Sequence, residues 1–267
     1  MSIRKLKKED IPYVKDLPPE DWKFNYGQFL NLHFNRKYFY AVVYMHSGRI
    51  VGTGNAIIHD KTGWLANIIV LDTHRNKGIG TAITGHLMKY LEKKKCATQL
   101  LIATALGEPV YRKLGFKTDS MYRFFRIDQP LNIPNEKMIY TLHKSDLDEL
   151  LVIDRKILGD DRSYLITRCY QNGLVYKRNN RITGYYLPQM GRGPVIATDN
   201  AAGLLLLKIK HSEAGRRTAV PAENLKAIEY LRQNGFEHFN DCARMFIGKR
   251  VPWKPEHIFS YSHGYCG

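Results

Sequence analysis

The stretch HRNKGIG, residues 74–80, joins an apolar run, NIIVLD (residues 67–72), to a segment in which Ile79, Ile83, Leu87, Tyr90 and Leu91 recur at helical spacing. It therefore reads as a strand-to-helix junction. A helix N-terminus leaves backbone N–H groups unpaired and carries partial positive charge, so it binds anions readily. Gly78 and Gly80 let that backbone approach a ligand closely, and Arg75 and Lys77 add charge. An ordinary glycine-rich turn would use the same letters. Two nucleotide motifs can be tested against them. A dinucleotide fingerprint needs glycine where Ile83 stands and an acidic residue after the next strand, but Gln99–Ala103 runs into Thr104-Ala105. A P-loop needs a terminal GK[ST], which is absent.

The bulk properties narrow the partner. The chain has 267 residues, 44% of them hydrophobic, enough for two modest globular domains or one large one. It has no apolar run long enough for a membrane span, and its charged start, MSIRKLKKED, is no secretory signal. Cys96, Cys169, Cys242 and Cys266 lack CxxC or zinc-ligand spacing, which predicts free thiols, no metal site and a cytoplasmic protein. The formal charge of +16 fits a polyanionic partner, a cofactor bearing several phosphates, or simply a basic surface. The densest run, Lys93-Lys94-Lys95, ends a helix and complements its dipole. No RNA-binding aromatic motif, zinc-finger spacing or recognition helix accompanies the charge, so nucleic acid is not expected as a partner.

Outward from the junction, the pattern predicts a strand at Ile3–Leu6 and helical segments to about Phe34. Strands follow at Tyr38–Met45 and Arg49–His59, joined by a turn at His46-Ser47-Gly48, and then at Trp64–Leu71. After the helix come a strand at Gln99–Ala103, a short helix at Glu108–Lys113 and a strand near Met121–Ile127. Such alternation indicates an α/β (α+β) sheet domain. The segment DQPLNIPNE, Asp128–Glu136, reads as a linker and predicts domains at 1–130 and 131–267. The second half echoes the first: GRIVGTG (48–54) by NRITGYY (180–186), and VYRKLGFK (110–117) by YLRQNGFE (230–237). Two echoes in the same order point to an internal repeat.

At this point the first half resembles the GNAT superfamily of acetyl-CoA-dependent N-acetyltransferases. The family signature R/Q-x-x-G-x-G/A is matched by Arg75, Gly78 and Gly80, and its later Y-x-x-x-G-F by Tyr111, Gly115 and Phe116. The resemblance implies two tandem GNAT-like domains, each a mixed, mostly antiparallel sheet flanked by helices. It also implies that backbone amides of Arg75, Asn76, Lys77, Gly78, Ile79, Gly80 and Thr81 cradle the pyrophosphate of acetyl-CoA. Ile68 and Val70 would offer backbone groups to the pantetheine arm, as a neighbouring strand would. Tyr111 stands where the family has its general acid. A phenol can protonate a departing thiolate only if it is well placed or its pKa is lowered. Thr104 stands where many relatives have asparagine, and could still bond the pantetheine. The glutamate that many relatives use as a base on the fourth strand is missing. Asn67 is polar but is no base, which leaves His59, Asp60, a water chain or the second half.

The second half looks degenerate. It keeps Asn224 and Ala227, has Leu231 where the tyrosine would be, and offers ATDNAAG (197–203) in place of the cradle. It either supports the first half or a homodimer, or walls the acceptor site through YYLPQMGRG (185–193) and the tail FSYSHGYCG (259–267). The expected activity is transfer of acetyl from acetyl-CoA to a primary amine of a small molecule by direct attack, with no cysteine near either motif to carry the acyl group. The alternative is a CoA-binding regulatory or sensor module.

Overall fold

The computed structural model describes residues 2–132, 137–213 and 215–267, so the end of the expected linker, residues 133–136, lies outside the described residues. The chain forms two compact units: Met1–Lys117 with Met245–Arg250, and Thr118–Arg244 with Val251–Gly267.

In the first unit β1 (Ser2–Lys5), α1 (Ile11–Val14) and α2 (Tyr26–His33) lead into three antiparallel strands, β2 (Phe39–His46), β3 (Arg49–His59) and β4 (Thr62–Val70). Then come α3 (Ile79–Lys93), β5 (Thr98–Ala103) and α4 (Glu108–Lys113). The sheet runs β1-β2-β3-β4-β5. α3 lies so close to it that a Cβ on Gly54 would stand 2.7 Å from Ile83 and one on Gly63 would stand 2.5 Å from Leu91. The recurring apolar positions are therefore the buried stripe: Ile83, Leu87 and Leu91 are fully buried. Residues 245–250 complete this unit beside β5, where Thr98 Oγ1 donates to Lys249 O (2.5 Å).

β4 and β5 are parallel but paired only at Thr62–Trp64 with Thr98–Leu100. Beyond Trp64 the β5 side of β4 has no ladder partner among the described residues, while its other side stays paired to β3 as far as Val70 with Gly52. The two strands splay.

In the second unit β6 (Lys117–Arg126) and β7 (Ile139–Thr141) precede α5 (Leu147–Leu158), α6 (Ser163–Cys169), β8 (Leu174–Arg178), β9 (Arg181–Tyr186) and β10 (Val195–Ala197). There follow α7 (Asn200–Lys210), β11 (Arg217–Pro221), α8 (Leu225–Gln233), β12 (Glu237–Gly248) and β13 (Ile258–Ser260). One sheet is ordered β13-β10-β9-β8-β7, and β6 pairs antiparallel with β11. The compact units thus divide at Lys117, ahead of the boundary expected at residue 130. Pro130 follows the end of a strand at Arg126, and that strand, β6, is packed with the second unit through β11.

The two sequence echoes are the same structures. His46–Arg49 and Arg178–Arg181 both close two-residue hairpins with left-handed central residues, Ser47 and Gly48 in one, Asn179 and Asn180 in the other. Gly-Phe is a helix stop in both halves. Gly115 (φ +93°) and Gly235 (φ +78°) are left-handed, and the following N–H reaches back five residues, Phe116 to Tyr111 O and Phe236 to Leu231 O, at 3.0 Å each. Phe116 and Phe236 are then buried.

Candidate active site

The junction is built as the letters suggested. β4 ends at Val70, a short 3-10 turn covers Asp72–His74, and α3 begins at Ile79. Asn76 and Gly78 both take left-handed backbone, with φ +61° and +76°. No side chain caps α3, and the first hydrogen bond in its ladder is Ala82 N–H to Gly78 O at 2.9 Å. The N–H groups of Ile79, Gly80 and Thr81 are left without intrahelical acceptors. Space is open above them. A Cβ on Gly78 would meet nothing within 4 Å, and one on Gly80 only Val70 Cγ2 at 4.0 Å. The fold therefore does not need glycine at residue 80, whereas a ligand lying against the backbone does. Ile79 itself is buried and contributes only its amide.

The charged residues of the loop are less free than the sequence suggested. Arg75 donates through Nε to Val70 O (3.3 Å) and pairs through Nη2 with Asp72 (2.5 Å). Lys77 Nζ donates to Thr73 O at 3.2 Å. Arg75 is a brace tying the end of β4 to the loop, which leaves the partial positive charge of the helix terminus at the start of α3.

Because β4 and β5 are parallel, the segments after both strands lie at the same edge of the sheet. Thr104 follows β5 and accepts the N–H groups of Gly107 and Glu108 at 2.9 Å each, which starts α4. Tyr111 sits on α4 with its ring half-buried, in an edge contact with Phe116 at 6.1 Å. Burial pushes its phenol up to about 12. The β4 edge at Ile68 and Val70, both partly exposed, the loop at 75–81, and Thr104 and Tyr111 beyond β5 thus follow the same ends of two parallel strands.

Two of the suggested bases, His59 and Asp60, are not with them. His59 pairs with Thr62 and Asp60 occupies the β3–β4 turn, at the opposite end of β4. At about 3.3 Å per residue, Thr62 lies about 16 Å from Asn67. An unforeseen feature is a bulge in β4. Thr53 faces Ile69 and Asn55 faces Ala66, so Asn67 and Ile68 together oppose Gly54, and Asn67 is left-handed with φ +52°. An asparagine inside an otherwise apolar strand was its signal, since asparagine tolerates that backbone.

Residues 3–116 match the acetyltransferase (GNAT) family model, and residues 150–260 match a second acetyltransferase (GNAT) domain model. The chain belongs to the GNAT acetyltransferases. It is similar to YitH, an uncharacterized N-acetyltransferase of Bacillus subtilis, at 21% identity over 227 residues, 80% of each chain. Its fold is similar to that of a provisionally assigned acetyltransferase from Pyrococcus horikoshii, with a TM-score of 0.84 at 19% identity over 100% of this chain and 95% of that one. It is likewise similar to a tandem GNAT protein from the clavulanic acid biosynthesis pathway, with a TM-score of 0.62 at 14% identity over 92% and 98%. This GNAT protein is thus an acyltransferase with two GNAT domains, of a family that uses acetyl-CoA.

The second GNAT unit shows what a closed cradle looks like. At the helix that corresponds to α3, α7, the Asp199 carboxylate accepts the Ala202 N–H at 3.0 Å and stands 3.6 Å from Arg178. A carboxylate of the chain itself satisfies one of the N–H groups at this helix terminus. Asn224, kept from the family spacing, caps α8 through the Ala227 N–H and donates to Ile258 O, both at 3.0 Å. The aromatic tail is folded inward, not presented to a ligand: Phe259, Tyr261 and Tyr265 are buried. Tyr185 likewise points into a buried group with Asp154 and Arg162, and Arg162 also donates to Cys266 O at 2.8 Å.

Proposed function

We propose that the first unit holds the single acetyl-CoA site of the chain and transfers acetyl to a primary amine of a small molecule by direct attack. The observation that carries this reading is the uncapped N-terminus of α3, open above Gly78 and Gly80, at the end of a strand whose facing edge has no partner. The backbone N–H groups from Arg75 to Thr81 receive the pyrophosphate, an anion matched to a helix terminus. The free edge of β4 at Ile68 and Val70 pairs with the amide-bearing pantetheine arm, and Thr104 faces it from β5. Acetyl-CoA supplies an acetyl group activated as a thioester. The second unit, its corresponding helix sealed by Asp199, binds no coenzyme and serves as a structural partner.

Tyr111 supplies the proton to the leaving sulfur. Its hydroxyl has no hydrogen-bond partner among the described residues, so it can turn to an incoming acceptor. At about 12 it is fully protonated at neutral pH. Delivery to a solvated thiolate, whose thiol has a pKa of about 8.5, would be uphill by about 5 kcal/mol. The pocket that raises the phenol also desolvates the sulfur and raises its affinity for the proton, which narrows that gap. Placement, not acidity, qualifies Tyr111.

The test is a thiol-release assay with acetyl-CoA over a panel of amines, with melting temperature read in parallel. Acetyl-CoA should raise the melting temperature, because a ligand that binds only the native state stabilises it. Stabilisation by NADH but not by acetyl-CoA would overturn the assignment.

A further inference from the structure

On the first unit's sheet, Gly52, Gly54 and Gly63 face α3, so Thr53 and Asn55 on β3 point to the other face. The bulge turns Asn67 to that same face, where its Nδ2 donates to Asn55 Oδ1 at 2.8 Å. The base of this group is fixed. Thr53 Oγ1 donates to Val42 O (2.9 Å) and meets the Tyr26 hydroxyl at 3.2 Å, while Tyr26, Thr53 and Asn55 are all fully buried. Only Asn67, at 8% exposure, reaches the surface. With its NH2 group held inward by Asn55, the atom it presents outward is Oδ1, which accepts no hydrogen bond from the described residues. Asn67 lies in the part of β4 that β5 does not cover, between the paired base of the cleft and the cradle.

This geometry deepens the acetyl-transfer reading and rests on it. We propose that Asn67 Oδ1 positions the acceptor amine by accepting one of its N–H bonds, and that the site selects amines already neutral near pH 7 over strongly basic alkylamines. During transfer the amine nitrogen gains the acyl carbon as the carbon–sulfur bond breaks. It loses one proton to water, and the leaving sulfur takes one from Tyr111. An amide oxygen holds an N–H donor but does not take a proton at neutral pH. The other side chains that these strands present around the bulge on this face, Thr53, Asn55, Ala66 and Ile69, do not take one either. On this reading no side chain of the bulge takes the amine's proton, and the amine arrives deprotonated.

The size of the preference follows from reference values. At pH 7.5 an α-amine of pKa about 8 is about one-quarter neutral, and a lysine-type amine of pKa about 10.4 about one part in 800, a ratio of about 200. Greater nucleophilicity of the stronger base returns about tenfold, if amines share the sensitivity of thiolates, which leaves about 20-fold.

The experiment uses the full chain, acetyl-CoA and two groups of amines. Amino-acid amides, aminosugars and arylamines form the weakly basic group, and polyamines and lysine side chains the strongly basic one. The best acceptors are expected in the first group, with kcat/KM rising along each amine's own titration curve. Asn67→Gly keeps the left-handed backbone and removes the amide. It should raise the amine KM at least tenfold while leaving acetyl-CoA affinity unchanged, a split that a merely structural residue would not produce. Asn67→Asp keeps an acceptor oxygen and should retain turnover with an added ionisation in the pH profile. Three results would overturn the inference. They are preferred acceptors of pKa near 10, loss of activity in Asn67→Asp with unchanged amine KM, or no acetylated amine although acetyl-CoA stabilises the protein. Failure of acetyl-CoA to stabilise the protein would instead remove the underlying reading.

Discussion

Gly80→Ala should make the protein more stable and a poorer binder of acetyl-CoA. Gly80 is the second residue of α3, and the added methyl would meet only Val70 Cγ2, at 4.0 Å. Replacing a helical glycine by alanine without strain stabilises by about 0.4–1 kcal/mol, chiefly by restricting the unfolded chain. For a domain of this size that raises the melting temperature by about 1–4 °C. The same methyl fills the space through which an anion reaches the Gly80 and Thr81 amides. A hydrogen bond to a charged group contributes about 1.5–3 kcal/mol, so losing one weakens binding about tenfold to a hundredfold. Gly78→Ala is the contrast. Its left-handed φ of +76° strains any side chain, so stability should fall by about 1–2 kcal/mol. The assay pairs thermal unfolding without ligand with calorimetric titration of acetyl-CoA. Wild-type affinity in a stabilised Gly80→Ala would show that the loop is an ordinary turn and remove the cradle.

Tyr111→Phe should cut turnover far more than acetyl-CoA affinity, and equal losses in both, measured by steady-state kinetics and titration, would remove the acid role. It should also flatten the alkaline limb of stability. A phenol raised from 10 to about 12 keeps its proton in the folded state, so its contribution is present below pH 10 and lost as pH rises from there towards 12. Asp199→Ala removes a helix cap and should cost about 0.5–2 kcal/mol in denaturant unfolding without changing acetyl-CoA stoichiometry from one; a second bound equivalent would contradict the single-site reading. His211 is fully buried with neither ring nitrogen bonded among the described residues, and burial drives its pKa down to about 2. Its contribution is present above pH 6.5 and lost as pH falls below it, by about 1.4 kcal/mol per pH unit. His211→Leu should therefore be less acid-sensitive, as read by denaturant midpoints at pH 7 and 5.

Most elements of the first unit were legible because their signals are local. The stripe Ile79, Ile83, Leu87 and Leu91 gives α3, and Ser47-Gly48 gives the hairpin. Gly115-Phe116 and Gly235-Phe236 stop their helices through the same backbone bonds. What was not legible depends on pairing between distant strands. Nothing near Asp128 tells that β6 pairs with Arg217–Pro221, so the prolines read as a domain boundary although the packing unit ends earlier. Arg75 read as a free cation because its partners, Val70 O and Asp72, are defined only once the loop has folded back. The bulge at Asn67 follows from the register between β3 and β4, which no single strand encodes.

One contrast between the two halves lies at the helix N-cap. Both crossing helices, α3 and α7, follow a strand and offer the same unpaired amides and dipole, so both begin as anion sites. In α7, Asp199 satisfies one of those donors and places a negative charge at the helix terminus, with Arg178 close enough to hold it. In α3 the equivalent place is Gly78, which has no side chain to fold back and whose backbone turns the loop away from the helix axis. Removing the Asp199 carboxylate alone would not restore a site, since the second half also lacks the tyrosine and the loop glycines. An aspartate introduced at residue 78 would do the reverse in the first half. It would have to adopt a strained left-handed backbone, and any carboxylate there would compete with phosphate for the same N–H groups. Retained folding without detectable acetyl-CoA binding in Gly78→Asp would show that a carboxylate at this helix terminus is enough to close the proposed site.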